Sequence, residues 1–202
     1  MKAAGLRAAI AVLAAAVSWQ ALAQEPQISR VRGTIERLDG DVLSLKPGEG
    51  ASVRIRLTRD ARVVPVVKAS LGDIKPGSFI GSAATPQPDG SQKALEVHIF
   101  PEAMRGTGEG HRPYFLPNST MTNGTVGDVV TGVAGNVVTV KYKGGETKIA
   151  VPPGVPIVRY EIGGRSDLKA GAAVSILRAA RKPDGTYETD RVNVGRGGVV
   201  PR

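Results

Sequence analysis

The chain contains no cysteine, two histidines and a single tryptophan. A disulfide framework, a thiolate nucleophile and a cysteine-ligated zinc site are therefore excluded. Aromatic residues make up 4%, too few for the stacked platforms that single-stranded nucleic acid needs. There is no uninterrupted apolar run near the ~20 residues of a helical membrane span. What is present is a 202-residue chain with 41% hydrophobic residues, enough for a packed core. Gly 26 and Pro 14 punctuate it in the manner of a turn-rich β protein. Lys and Arg number 27 against 18 Asp and Glu, a formal charge of +9.

The first 23 residues read as an address. Lys2 and Arg7 form a basic start, Ala8 to Trp19 is apolar apart from Ser18, and Ala21-Leu22-Ala23 is a small-x-small cleavage site. Residues 1–23 are thus expected to be a signal helix cut between Ala23 and Gln24. Removal of Lys2 and Arg7 with it takes the charge from +9 to +7. With no Cys after Ala23, acylation of a terminal cysteine is excluded. The expected location is outside the cytoplasm, in a bacterial periplasm, where a basic protein meets anionic envelope surfaces before genomic nucleic acid.

The remainder repeats itself. Gly40 to Lys46 (GDVLSLK) aligns with Gly135 to Lys141 (GNVVTVK), Asp73 to Gly77 with Asp167 to Gly171, Pro88-Asp89-Gly90 with Pro183-Asp184-Gly185, and Val97 with Val192. The landmarks keep one order at an offset of 94 or 95. Such colinearity indicates two copies of one module. Val53, Ile55 and Leu57 alternate with Arg54, Arg56 and Thr58, the pattern of a half-buried strand with arginines outward. Val63 to Val67 is extended, and Pro65 points to an edge or a strand break there. Ser78 to Ala84 and Ala94 to Phe100 flank a Pro-Asp-Gly turn as a hairpin. The second copy offers strands at 125–130, 137–142, 147–151, 155–160, 172–180 and 187–194. Each copy has a polar stretch, 70–74 and 165–169, suited to one helical turn. Three strands, a helical turn and a hairpin are the order of an OB-type barrel. The expected fold is all-β, two tandem OB-like small barrels over 24–100 and 124–198. An ordered Gly/Pro-rich connection spans 101–123, and a tail spans 199–202.

The turn and core motifs at Gly33-Thr34-Ile35, Gly40 to Leu45, Asp73 to Gly77 and Pro88 to Val97 recur at Gly127-Asp128-Val129, Gly135 to Val140, Asp167 to Gly171 and Pro183 to Val192. In this respect the chain resembles an uncharacterised family of exported bacterial proteins with tandem OB-like domains. The resemblance covers most of residues 30–100 and 124–195 and implies a fold. It supplies no catalytic residues.

Chemistry concentrates in 101–124, a connection longer than the usual ~4–6 residues. Tyr114 and Phe115 argue for packing onto the barrels instead of a free linker. A candidate metal set is His98, Met104, Glu109, His111 and Met121, soft or borderline ligands suited to exported copper. Copper is thus the one cofactor the sequence suggests, although its spacing matches no metal motif and none is expected. Small exported OB-type copper chaperones use Met and His in this way. His98 lies between Val97 and Ile99 on a strand and faces away from both. Gly106, Gly108 and Gly110 form a G-x-G-x-G run, but Pro113 disfavours the following helix that a phosphate loop needs. Candidate partner contacts are Arg54, Arg56, Arg105, Arg112, Tyr114 and Phe115. No nucleophile elbow surrounds a serine and no paired carboxylates stand out. The leading expectation is a non-catalytic binding or scaffold protein of the cell envelope. Its partner would be an anionic polymer, lipid head groups or an acidic protein. The alternatives are a copper-binding protein and an enzyme with a site between the barrels.

Overall fold

The computed structural model describes residues 28–132, 135–184 and 186–202. The expected signal helix, its cleavage site at Ala23 and Gln24, and Gly185 lie outside them. The described residues are all-β. The strands are β1 (Ile28–Asp39), β2 (Val42–Lys46), β3 (Val53–Lys68), β4 (Phe79–Pro86), β5 (Gln92–Ile99), β6 (Gly110–Pro113), β7 (Thr120–Gly132), β8 (Gly135–Tyr142), β9 (Gly145–Val151), β10 (Ile157–Tyr160), β11 (Ala173–Arg181) and β12 (Tyr187–Gly195). Single 3₁₀ turns occupy Leu71–Asp73, Glu102–Met104 and Arg165–Asp167. No helix among them is long and apolar enough to cross a membrane.

Alternation decides the faces. In β3, Ile55, Leu57 and Val63 are buried in one core, while Arg54, Arg56 and Arg62 are exposed. Fully buried side chains such as Leu43 and Leu45 each contribute about 1.5–3 kcal/mol relative to exposure. Pro65 does not break the strand as its sequence suggests. It sits within β3, where its carbonyl still accepts from the Glu161 N–H at 2.9 Å, so the strand continues with one ladder bond fewer.

The strands close into two five-membered rings, and each ring mixes the repeats. In the first ring β1 pairs β2, β2 pairs β3, β3 pairs β12, β12 pairs β11 and β11 returns to β1. In the second, β7 pairs β8, β8 pairs β9, β9 pairs β5, β5 pairs β4 and β4 returns to β7. Residues 24–100 therefore do not close one barrel, nor 124–198 the other. The first three strands of each repeat take the hairpin of the other repeat as partners. The plugs exchange too: Leu168 packs in the core of the first ring and Ile74 in that of the second. The turns carrying them are alike, with the Asp73 carboxylate accepting from the Ser70 N–H at 2.8 Å and the Asp167 carboxylate from the Gly164 N–H at 3.0 Å.

The rings meet where β10 lies between β3 and β5, antiparallel to one and parallel to the other. Val66 pairs there with Tyr160, its counterpart at an offset of 94, so a local two-fold relates the repeats about this pair. A third core cluster of Val64, Val66, Phe79, Phe100, Met104, Val158 and Tyr160 fills the junction.

Two expectations shift in register. The counterpart of Gly33 is Gly124, not Gly127. A Cβ on Gly33 would overlap the Lys46 carbonyl oxygen, and one on Gly124 the Lys141 carbonyl oxygen, 95 residues on. The β7–β8 hairpin is longer than β1–β2, which displaces the sequence match. The connection 101–123 is also more structured than a loop. It holds a 3₁₀ turn and β6, which adds to β7 beginning at Thr120. As expected it packs on both rings. Arg105 donates to the Gly77 carbonyl at 2.9 Å beside β4, and the Phe115 ring lies 3.4 Å from the Arg30 guanidinium of β1.

Exchange of the plugs gives a test. Leu168→Ala should cost about 2–5 kcal/mol in urea unfolding and should loosen amide protection in β1–β3, which belong to the other repeat. Loss of protection confined to β7–β9 would contradict this packing.

Candidate functional site

In β12, Val192 and Val194 point into the first core, which turns Arg191 and Asn193 outward. In β5, Val97 and Ile99 point into the second core, which turns Glu96 and His98 outward. Glu96 corresponds to Arg191 and His98 to Asn193 at the offset of 95. Both rings thus carry a polar pair at the same two positions. The pairs are internally bonded: Arg191 Nε donates to Asn193 Oδ1 at 3.1 Å, and His98 Nε2 lies 2.8 Å from Glu96 Oε1. Glu96 is 6%, His98 7% and Asn193 2% exposed, and burial at this level requires polar partners. Arg202 Nε is 3.7 Å from the second Glu96 oxygen.

Tyr160 stands between the two pairs. Its ring stacks on His98 at 5.1 Å and lies 5.6 Å from the Arg191 guanidinium. Phe100 meets it edge-on at 5.2 Å. Burial pushes the Tyr160 phenol well above the ordinary tyrosine value, against the opposing charge of Arg191. The same burial pulls the Arg191 guanidinium below its ordinary value.

A cavity opens beside each pair. The first, about 620 Å³, is lined by β1, β3, β11 and β12 residues that include Arg62, Ser175, Leu177, Arg178, Arg191 and Asn193. The second, about 280 Å³, is lined by Arg32, Ala83, Leu95, Glu96, His98, Tyr114, Phe115, Leu116 and Arg202. Ser175, 1% exposed, has an Oγ with no hydrogen-bond partner among the described residues.

The structure brings His98, Tyr114 and Phe115 together around the second cavity and disperses the other sequence candidates. His98 lies opposite Gly81 on β4, Gly81 opposite Asn123 on β7, and Asn123 opposite Gly110 on β6. The two histidines are thus three strand spacings apart, about 14 Å. His111 Nδ1 lies 2.8 Å from Thr122 Oγ1, and its ring stacks on Tyr142. Glu109 accepts from the Lys143 N–H at 3.0 Å. Met104 is buried in the junction cluster, and Met121 on β7 pairs with Ala83 on β4. Among the described residues no three His, Asp or Glu side chains are grouped to hold one metal ion. Arg54 and Arg56 are exposed on β3. Arg105 is engaged with Glu102 and Gly77, and Arg112 donates to the Gly108 carbonyl at 2.7 Å. The Gly106–Gly110 run leads into a strand, β6, and not a helix.

Sequence reasoning missed Glu96, Tyr160, Ser175, Arg191 and Asn193 as site residues. The signal was there: Glu-Val-His and Arg-Val-Asn fall at the same offset as the other landmarks, each placing two polar groups outward around an inward valine. Comparison with protein-family models, with curated proteins and with solved structures gives no match.

The Tyr160 environment makes an expectation for alkaline pH. Its folded phenol ionises above the ordinary 10.0 of the unfolded chain. Its contribution to stability is therefore complete below pH 10 and is lost as pH rises past that value. Absorbance titration should show Tyr160 and Tyr114, both raised by burial, ionising late, and Tyr160→Phe should remove part of that late step. Four tyrosines titrating together near pH 10 would contradict it.

Proposed function

We propose that the mature chain is an exported, non-catalytic binding module of the bacterial cell envelope, built from two OB-like barrels with exchanged hairpins. The fold part of this reading is supported by the ring order. Taking strands by position within a repeat, each ring runs first, second, third, fifth, fourth, with the third and fifth parallel. A 3₁₀ turn precedes the fourth strand, and the residue that follows the turn supplies a plug.

The observation that carries the binding part is the duplicated cavity. Two equivalent outward faces each hold a buried polar pair at the edge of an open concavity, joined through one tyrosine. A concave site with a few fixed polar groups is the form ligand sites take. The first cavity, with its volume of about 620 Å³, is the principal one. Location enters through the leader-like residues 1–23, and the charge of +7 after their removal favours an anionic partner.

Fractionation of cells producing the chain should recover it outside the cytoplasm beginning at Gln24. Its retention on isolated envelope material should fall several-fold between about 50 mM and 500 mM salt, as the screening length shortens from roughly 14 Å to 4 Å. A protein that remains cytoplasmic with residues 1–23 attached, or retention indifferent to salt, would contradict this function.

A further inference from the structure

The ligand class of the first cavity follows from its charges, and the inference rests on the binding-module reading above. Arg191 on β12 lies directly opposite Arg62 on β3. Like charges at paired positions of adjacent strands oppose folding. Arg178 of β11 borders the same cavity. The cavity also has two acids, Glu188 and Asp190, but Glu188 is held by Lys182 at 2.7 Å. Among the described residues, no carboxylate oxygen lies within 4.0 Å of a guanidinium nitrogen of Arg62, Arg178 or Arg191. Arg191 is half-buried, and among the described residues its guanidinium has only the amide oxygen of Asn193 as a hydrogen-bond acceptor. Ser175 adds a buried hydroxyl with no partner among the described residues at the same cavity.

A like-charged arginine pair, a guanidinium withdrawn from water and an unsatisfied hydroxyl each disfavour the empty site. One ligand relieves all three. We propose that this cavity binds a phosphate-type oxyanion carried on an apolar group. Arg191 and Arg62 grip the oxyanion from adjacent strands, Arg178 adds charge at the exposed side, and the Ser175 hydroxyl donates to it. Guanidinium forks match such oxyanions in geometry and hydrogen-bond them more strongly than neutral donors do. The volume of about 620 Å³ far exceeds an inorganic phosphate, and Ile28, Leu177 and Ala180 line the apolar remainder. The second cavity carries Glu96, bonded to His98 and flanked by Arg32 and Arg202, where the first carries Arg191.

The test uses the mature chain, labelled for amide spectra. Inorganic phosphate and glycerol phosphate are titrated in solution. The chain is then sedimented with phosphatidylcholine vesicles with and without phosphatidylglycerol. Saturable binding in either arm is expected, with amide shifts at Ser175, Arg191 and Asn193. Binding in solution alone identifies a free phosphate ester, and binding to the anionic vesicles alone a lipid head group. Arg191→Gln and Arg62→Gln should each weaken binding about tenfold or more, and Lys148→Gln, exposed on β9 of the other ring, should leave it unchanged. Arg62 is exposed, so its variant keeps the fold even where Arg191→Gln does not. Absence of binding in both arms, or equal binding by Arg62→Gln and the parent chain, would overturn the proposal. If envelope retention survives in the parent while these titrations fail, the oxyanion site falls and the binding-module reading stands.

Discussion

Each ring is closed by one parallel pair, β3 with β12 and β5 with β9. Everything else in the molecule follows from these closures. A tight hairpin cannot make a parallel pair, so the closing strand must arrive through a crossover from elsewhere in the chain. With two rings of the same strand order, an incoming hairpin has two equivalent places to go. This chain sends it to the other copy. The result ties the repeats together at the hydrogen-bonded level, and the junction cluster around Val66, Phe100 and Tyr160 becomes a core in its own right. It is exchange of identical elements, familiar between protomers, performed within one chain.

The exchange also sets the chemistry. Because β5 and β12 occupy equivalent places, their outward residues present two versions of one site, and Tyr160 touches both. The versions differ in sign. Glu96 and His98 satisfy each other beside a small cavity walled by Tyr114 and Phe115. Arg191 faces Arg62 beside a larger cavity with an unpartnered serine. The two sockets thus differ at positions 96 and 191, an acid in one and a base in the other.

Much of the architecture was legible in the sequence. The alternation at 53–57, the Pro-Asp-Gly turn at 88–90 and the polar stretches at 70–74 and 165–169 placed strands, a hairpin and the helical turns where they are found. The choice of partner was not legible. Both closing strands offer alternating aliphatic residues, Val97 and Ile99 on β5 and Val192 and Val194 on β12, and no local pattern separates the two outcomes. Pro65 misled for a related reason: its neighbour across the ladder is a strand from the other repeat, which uses only its carbonyl. For the site, soft ligands in the central connection drew attention to His98, His111 and the methionines, but three strand spacings separate the histidines. The residues that do converge lay in the repeat alignment itself, where polar pairs hide between buried valines.

The most direct measurement is the set of interstrand backbone contacts of β1, read by NMR on the monomeric chain. The account predicts proximity of Gly33 to Val174 and of Arg32 to Ser175, the β1–β11 register across the repeats. Proximity of Gly33 and Arg32 to β4, near Ile80 and Gly81, would mean that each repeat closes on itself and would contradict the exchange.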